Sequence, residues 1–287
     1  MDAAGVDRAL VHPVLWDPDS NELAVEAVRK YPDRFAIMGW FYLDDPNGRD
    51  LVAQWKERPG MLGLRFYTND RHPQSWFTDG TLDWLWPAAE RAQVPVALGA
   101  AMFLPTVGKI AERHPGLKLI VDHMGVPRAS KGEAAYRFQP ELLALAKYPN
   151  VAVKATGQAG YAEDEYPFRS LHPHLHRCFD AFGPERMFWG TDITRMPCSW
   201  RQCVTLFTEE LPWLKGRDLD LVMGEALCNR VDWSGPASRA AIGRVLSSPP
   251  AGSRFSAAVN GRSGNGVRAA DGDPSRLNSA PVAVSRT

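Results

Sequence analysis

A chain of 287 residues can hold one large domain or two ordinary ones. Its 33 basic and 33 acidic side chains cancel, so no charge excess points to a nucleic acid or a membrane surface as partner. The apolar share of 45% suits a sizeable core, no apolar run is long enough to span a bilayer, and no signal-peptide layout follows Met1, so a cytoplasmic location is expected.

In chain order, "MDAAG" reads as the last turn of a helix, with Gly5 at a left-handed cap. "DRALVHPV" follows as a strand that ends at His12-Pro13. "SNELAVEAVRKYP" is a helix by its apolar spacing, with Ser20 or Asn21 as N-cap and Pro32 as its stop. Further strands are predicted in "FAIMGWFYL", "MLGLRFY", "VPVALGA", "LKLIVDHMG", "NVAVKATG" and "RMFWGTDI". The helices "FLPTVGKIAERHPG" and "QPELLALAKYPN" lead directly into two of them. The strand runs are largely unbroken apolar, as in parallel sheets covered on both faces.

This alternation suggests a doubly wound sheet or a (β/α) barrel. No G-x-G-x-x-G or P-loop pattern follows any strand, which weakens the nucleotide-binding sheet. Polar residues stand instead at many strand ends: His12, Arg65, His123, Lys154 and Asp192. A barrel gathers such ends at one mouth, and the barrel is therefore favoured. Successive strand residues point to opposite sides, so of Asp122 and His123 one supports while the other reacts. The aromatic runs "GWFYL" and "WFTDGTLDWLW" are read as core. Cys178, Cys198, Cys203 and Cys228 form no C-x-x-C pair and are read as free thiols. Beyond a domain at 1–233, residues 234–287 turn to Gly, Ser, Ala, Pro and Arg, with Asp271 and Asp273 the sole acids, and are expected to be a disordered, solvated tail.

Taken together and in order, "MDAAGVDRALV", "GLRFY", "IVDHMG", "VAVKATG", "MFWGTDI" and "LVMGEALCNRVDW" resemble the amidohydrolase superfamily, in its amidohydrolase-related branch of (β/α)8 hydrolases and decarboxylases. The resemblance implies an α/β, TIM-like barrel missing strand one. It implies Asp192 as general base toward a water and His123 as carbonyl polariser or metal ligand. A divalent metal, zinc first, would then be held by His123 and Asp192. Arg65 and Lys154 fall on strands four and seven of the family pattern, where cations can clamp a substrate carboxylate; Lys154 can equally pair with an internal acid. His12 and His172 complete the expected substrate-binding set.

The function this implies is hydrolysis of a small carboxylate-bearing lactone, amide or ring compound by activated water. Decarboxylation of an aromatic or muconate-like acid is the rival on the same scaffold. The family's H-x-H pair would lie upstream of Met1, so an inactive remnant or a binding protein is the third reading. Without strand one, strands two and eight are expected to leave unpaired edges. The partner is a small molecule, with homodimer formation as the assembly the family suggests. "SLHPHLHRCF" places His172, His174 and His176 at H-x-H spacing, but on a helix His172 and His176 lie one turn apart while His174 points elsewhere, and the cluster is read as a decoy.

Overall fold

The computed structural model describes residues 1–14, 16–68, 72–234 and 282–285. Seven strands alternate with helices in the order β1 (Val6–Val11), α1 (Ser20–Lys30), β2 (Phe35–Trp40), α2 (Gly48–Gln54), β3 (Met61–Tyr67), α3 (Leu85–Arg91), β4 (Val96–Gly99), α4 (Leu104–Arg113) and β5 (Leu119–Val121). Then come α5 (Gly132–Ala135), α6 (Gln139–Ala144), β6 (Val151–Thr156), α7 (His172–Phe182), β7 (Met187–Gly190), α8 (Trp200–Thr208), α9 (Gly216–Asp220) and α10 (Ala226–Arg230). A last strand, β8, covers Val282–Ser285.

All seven predicted strands are present, and each pairs in parallel with the next in sequence from β1 to β7. The result is the α/β, TIM-like curl expected from the sequence. Strand residues of one parity, such as Ile37, Leu64, Val96, Leu119, Val153 and Met187, pack outward in the larger apolar cluster with the helices. The other parity builds a separate inner cluster from Leu10, Ala36, Met38, Ala97, Ile120, Ala152 and Phe188. Leu221, Ala226, Leu227, Val231 and Trp233 plug that inner cluster from the C-terminal helical segment. Arg230 ties this plug to the start of two strands, donating to the Leu119 carbonyl at 3.2 Å and to the Asn150 carbonyl.

Three local expectations change. The N-cap of α1 is Asp19, not Ser20 or Asn21. Ser20 donates to the Val14 carbonyl, while Asn21 clamps both backbone groups of Trp40 at 2.9 Å and so fastens α1 to the end of β2. Second, the free edge of β1 is paired: β8 lies antiparallel to it, with Leu10 opposite Val282 and Ala9 opposite Ala283. An open edge presents unpaired N–H and C=O groups, and the "VAVS" stretch is a strand-forming run able to satisfy them. Third, these four residues are therefore not part of a disordered tail; the rest of the expected tail, 235–281 and 286–287, lies outside the described residues. The "MDAAG" reading holds, as a short 3-10 turn at Asp2–Ala4 with Gly5 left-handed at φ 79°.

Candidate active site

The inward-facing parity that is apolar in the middle of the strands becomes polar at their C-terminal ends. Two residues beyond Leu10 stands His12; beyond Gly63, Arg65; beyond Ile120, Asp122; beyond Ala152, Lys154. All four are buried. Asp122 receives the Arg65 guanidinium, Nε to Oδ2 at 2.6 Å, and its other oxygen is ion-paired with Lys154 Nζ. Burial alone would push the Asp122 carboxyl up, but the Arg65 and Lys154 cations beside it hold it far below the ordinary carboxylate range. Burial pulls Lys154 down to about 8, against the Asp122 carboxylate and with help from Arg65. One carboxylate thus serves two cations.

Lys154 Nζ also meets His12 Nε2 at 3.2 Å. An ammonium only donates, so Nε2 accepts and the His12 proton sits on Nδ1. Burial, then Lys154 and Arg65, keep this imidazole neutral, well below its ordinary pKa. His12 Nδ1 and Trp40 Nε1, at the ends of neighbouring strands, are buried donors without an acceptor among the described residues. Arg65 also stacks over the Tyr67 ring, 4.2 Å from its centroid.

His123 takes a different route to the mouth. β5 stops at Val121, and His123, Met124 and Gly125 all adopt left-handed backbone with φ of 52°, 54° and 66°. This turn leaves Asp122 facing inward and swings His123 over β6. Its Nδ1 lies 2.8 Å from the Thr156 hydroxyl and 3.3 Å from the Thr156 carbonyl. The carbonyl can only accept, whereas the hydroxyl can donate to a bare Nδ1 or accept from an Nδ1–H. Burial lowers the His123 pKa, opposed by the carboxylates of Asp192 and Asp122, so the ring is neutral at neutral pH.

Asp192 follows β7, also left-handed at φ 54°, and is ion-paired with Arg195 at 3.6 Å. His123 and Asp192 converge on Gly157. A Cβ at Gly157 would stand 3.4 Å from His123 Nδ1 and 3.7 Å from Asp192 Oδ2. Gly157 itself has φ 72°, so glycine serves both the backbone conformation and the close approach. Tyr161, buried beside the Arg195 and Asp192 charges, has its phenol pushed up to about 12, chiefly by burial.

The structure thus brings together His12, Arg65, Lys154, His123 and Asp192 and supplies Asp122 as the shared counter-charge of Arg65 and Lys154. His172 makes a backbone contact: its Nε2 meets the Pro167 carbonyl at 2.9 Å. Its two neighbours are spent as well. His174 is buried and stacked on Tyr136 at 3.7 Å, and His176 is stacked on Trp213 at 4.7 Å. Thr156, Gly157, Tyr161, Arg195 and Trp40 were missed as site residues, although "KATG" and "TDITR" held three of them in plain view.

The metal expectation rests on a short donor set. A catalytic zinc takes three protein ligands and leaves a fourth position open. Among the described residues no three His, Cys, Asp or Glu side chains come together as a group able to hold a metal ion. His123 and Asp192 are two donors, so these residues do not by themselves fit a resident metal.

The family model described as Amidohydrolase matches residues 6–221. An L-fucono-1,5-lactonase from Burkholderia ambifaria is 24% identical over 193 residues, which cover 66% of this chain and 65% of that protein. The chain therefore spans a little under two thirds of that relative's length. Among solved structures, an amidohydrolase from Burkholderia multivorans with bound zinc superposes with a TM-score of 0.69 at 21% identity, covering 81% of this chain and 85% of that one. A 5-carboxyvanillate decarboxylase from Sphingomonas paucimobilis superposes with a TM-score of 0.59 at 17% identity, covering 81% of each. No helix among the described residues is long and apolar enough to cross a membrane. The ordered strand-end residues and a family match running from β1 to the start of the C-terminal helical plug lead to one conclusion: the chain belongs to the amidohydrolase family.

Proposed function

We propose that the chain is a hydrolase that opens a small carboxylate-bearing lactone by activated water. The observation that carries this reading is the convergence of His123 and Asp192 on Gly157, beside a buried cluster with one positive charge in excess. Asp192, as carboxylate, takes a proton from the attacking water. With the Thr156 hydroxyl donating to a bare Nδ1, His123 Nε2–H donates to the lactone carbonyl and stabilises the oxyanion as the tetrahedral centre forms. The ring C–O bond then breaks, and the proton held by Asp192 passes to the departing alkoxide, giving a hydroxy acid. Arg65 and Lys154, sharing Asp122, attract the substrate carboxylate, and His12 Nδ1–H offers a further donor. The L-fucono-1,5-lactonase relative supports a lactone as substrate, and the excess cation argues for a carboxylate on it.

Decarboxylation is the second reading, favoured by the same excess cation, which suits a carboxylate poised to leave, and by the decarboxylase that shares the fold. Product analysis separates them: a hydroxy acid without carbon dioxide supports hydrolysis, and carbon dioxide release overturns it. Absence of turnover on a panel of sugar-acid lactones and pyrone carboxylates overturns both. In the active protein, Asp192→Asn is expected to lower kcat about 10²–10⁴-fold with little change in thermal midpoint. Added zinc is expected to leave the melting temperature unchanged, because two donors give no tight site and hence no linkage; a clear zinc-dependent rise would show that a third ligand is recruited.

A further inference from the structure

The loop after Asp192 runs into α8 through a full helix-start motif. Ser199 is the N-cap, its side chain accepts from the Gln202 backbone, and the Gln202 side chain returns to the Ser199 backbone. In such capping boxes the residue before the cap and the fourth residue of the helix are brought into side-chain contact, usually as an apolar staple. Here those two positions are Cys198 and Cys203, and their sulfurs stand 3.6 Å apart. The motif that starts the helix has therefore aligned two thiols.

We propose that Cys198 and Cys203 form a reversible intramolecular disulfide, a thiol-oxidation site on the loop that follows Asp192. The two partners have unequal roles. Cys203 is buried inside α8, and its carbonyl accepts from Trp189 Nε1 at 3.1 Å, which holds it in place. Cys198 is half-buried and lies outside the helix. Donation from the Cys203 thiol lowers the Cys198 pKa, while the same contact and burial push Cys203 up. Cys198 is thus the attacking sulfur and Cys203 the resolving one. Closure to a bond of about 2.05 Å needs the sulfurs to approach by roughly 1.5 Å, a movement available to the non-helical Cys198 side.

With hydrogen peroxide as oxidant the step balances. The Cys198 thiolate attacks one peroxide oxygen, the O–O bond breaks, and the departing hydroxide leaves as water after taking up a proton. The resulting sulfenic acid is then attacked by the Cys203 sulfur: the S–O bond breaks, the S–S bond forms, and the Cys203 proton leaves with hydroxide as a second water. Two thiols and one peroxide give one disulfide and two waters. The bridge fastens the segment that carries Arg195, the ion-pair partner of Asp192, to the first turn of α8.

The test uses the intact reduced protein, treated with hydrogen peroxide, alkylated, and digested with trypsin without reductant. Cleavage after Arg195, Arg201 and Lys215 puts the two cysteines on separate peptides, 196–201 and 202–215. The expected result is a linked pair of these peptides, released by dithiothreitol and about tenfold more abundant than any other cysteine pairing. Cys178 and Cys228 are the internal controls, since both are buried and burial pushes both thiols up. In Cys198→Ser the linked pair should vanish, with Cys203 left as free thiol. A Cys198 found unmodified, carried on to sulfinic or sulfonic acid, or bridged to a second molecule would overturn the proposal. Because none of these readouts is turnover, failure of the hydrolase reading leaves the outcome interpretable.

Discussion

Two levels of the same inward face behave as different solvents. In the middle of the strands the face is Leu10, Met38, Ala97, Ile120, Ala152 and Phe188, all buried and all apolar. Two residues further along it carries His12, Trp40, Asp122 and Lys154, equally buried. Burial is the same; only the chemistry changes. The lower level gains from removing apolar area from water, at about 25 cal/mol per Å². The upper level is an electrostatic construction that stands because Asp122 is shared by two cations and His12 stays neutral. The lesson is that the site is not an opening in the core but a charged layer laid on it, and its parts depend on one another more than on packing.

The largest expected effect follows from that dependence. Asp122→Ala leaves Arg65 and Lys154 buried without a counter-charge, and is expected to cost about 3–5 kcal/mol in urea unfolding. A loss below about 1 kcal/mol would mean that the upper level is wet enough to screen its cations, and the contrast with the apolar level would collapse.

Acidification separates the two levels without mutation. His12 and His123 both have pKa values lowered mainly by burial, and so has His174 on α7, outside both levels. Above about pH 6.5 folded and unfolded chains are both neutral at these rings, and their full contribution is present. As pH falls through that value the unfolded chain takes up protons that the folded chain refuses, so stability drops, and it goes on dropping until the folded pKa values are reached. The slope is at most about 1.4 kcal/mol per pH unit for each histidine. Asp122 works in a lower window, since a depressed carboxylate stabilises above its ordinary pKa near 3.8 and is lost only below it. Thermal midpoints that fall between pH 7 and 5, above the Asp122 window, are the expected record; a flat profile there would place these imidazoles in contact with water.

Much of the upper level was legible because strand ends are marked twice, by the end of an apolar run and by a polar residue in the inward register. His12, Arg65, Lys154 and Asp192 were found that way. His123 was found as a strand-end residue too, although it breaks the inward register, and the resemblance singled it out with Asp192. What the sequence hid is pairwise. Nothing in "VDHMG" says that Asp122 is shared by Arg65 and Lys154, because those three residues lie on different strands. Gly157 reads as an ordinary strand-ending glycine until His123 and Asp192 are seen to meet over it. The His172 contact was hidden because spacing resolves faces of a helix but not which carbonyl the first turn meets. The β1 edge was misjudged for a similar reason, since its partner lies at the far end of the chain.

The smallest effect on stability tests the asymmetry inside the charged level itself. Lys154→Met removes the cation that the cluster can spare, leaving Arg65 and Asp122 as a balanced pair at 2.6 Å. A flexible apolar side chain of similar length fills the space, so the cost should stay below about 1.5 kcal/mol, in contrast to Asp122→Ala. Activity should respond more than stability. If the excess charge draws the substrate carboxylate, KM rises while kcat, set by His123 and Asp192, changes less. An alkaline limb near pH 8, where Lys154 gives up its proton in the wild type, should be absent from the variant's pH profile. A variant as unstable as Asp122→Ala would show instead that both cations are needed to hold the carboxylate, making Lys154 part of the scaffold rather than of the substrate's reception.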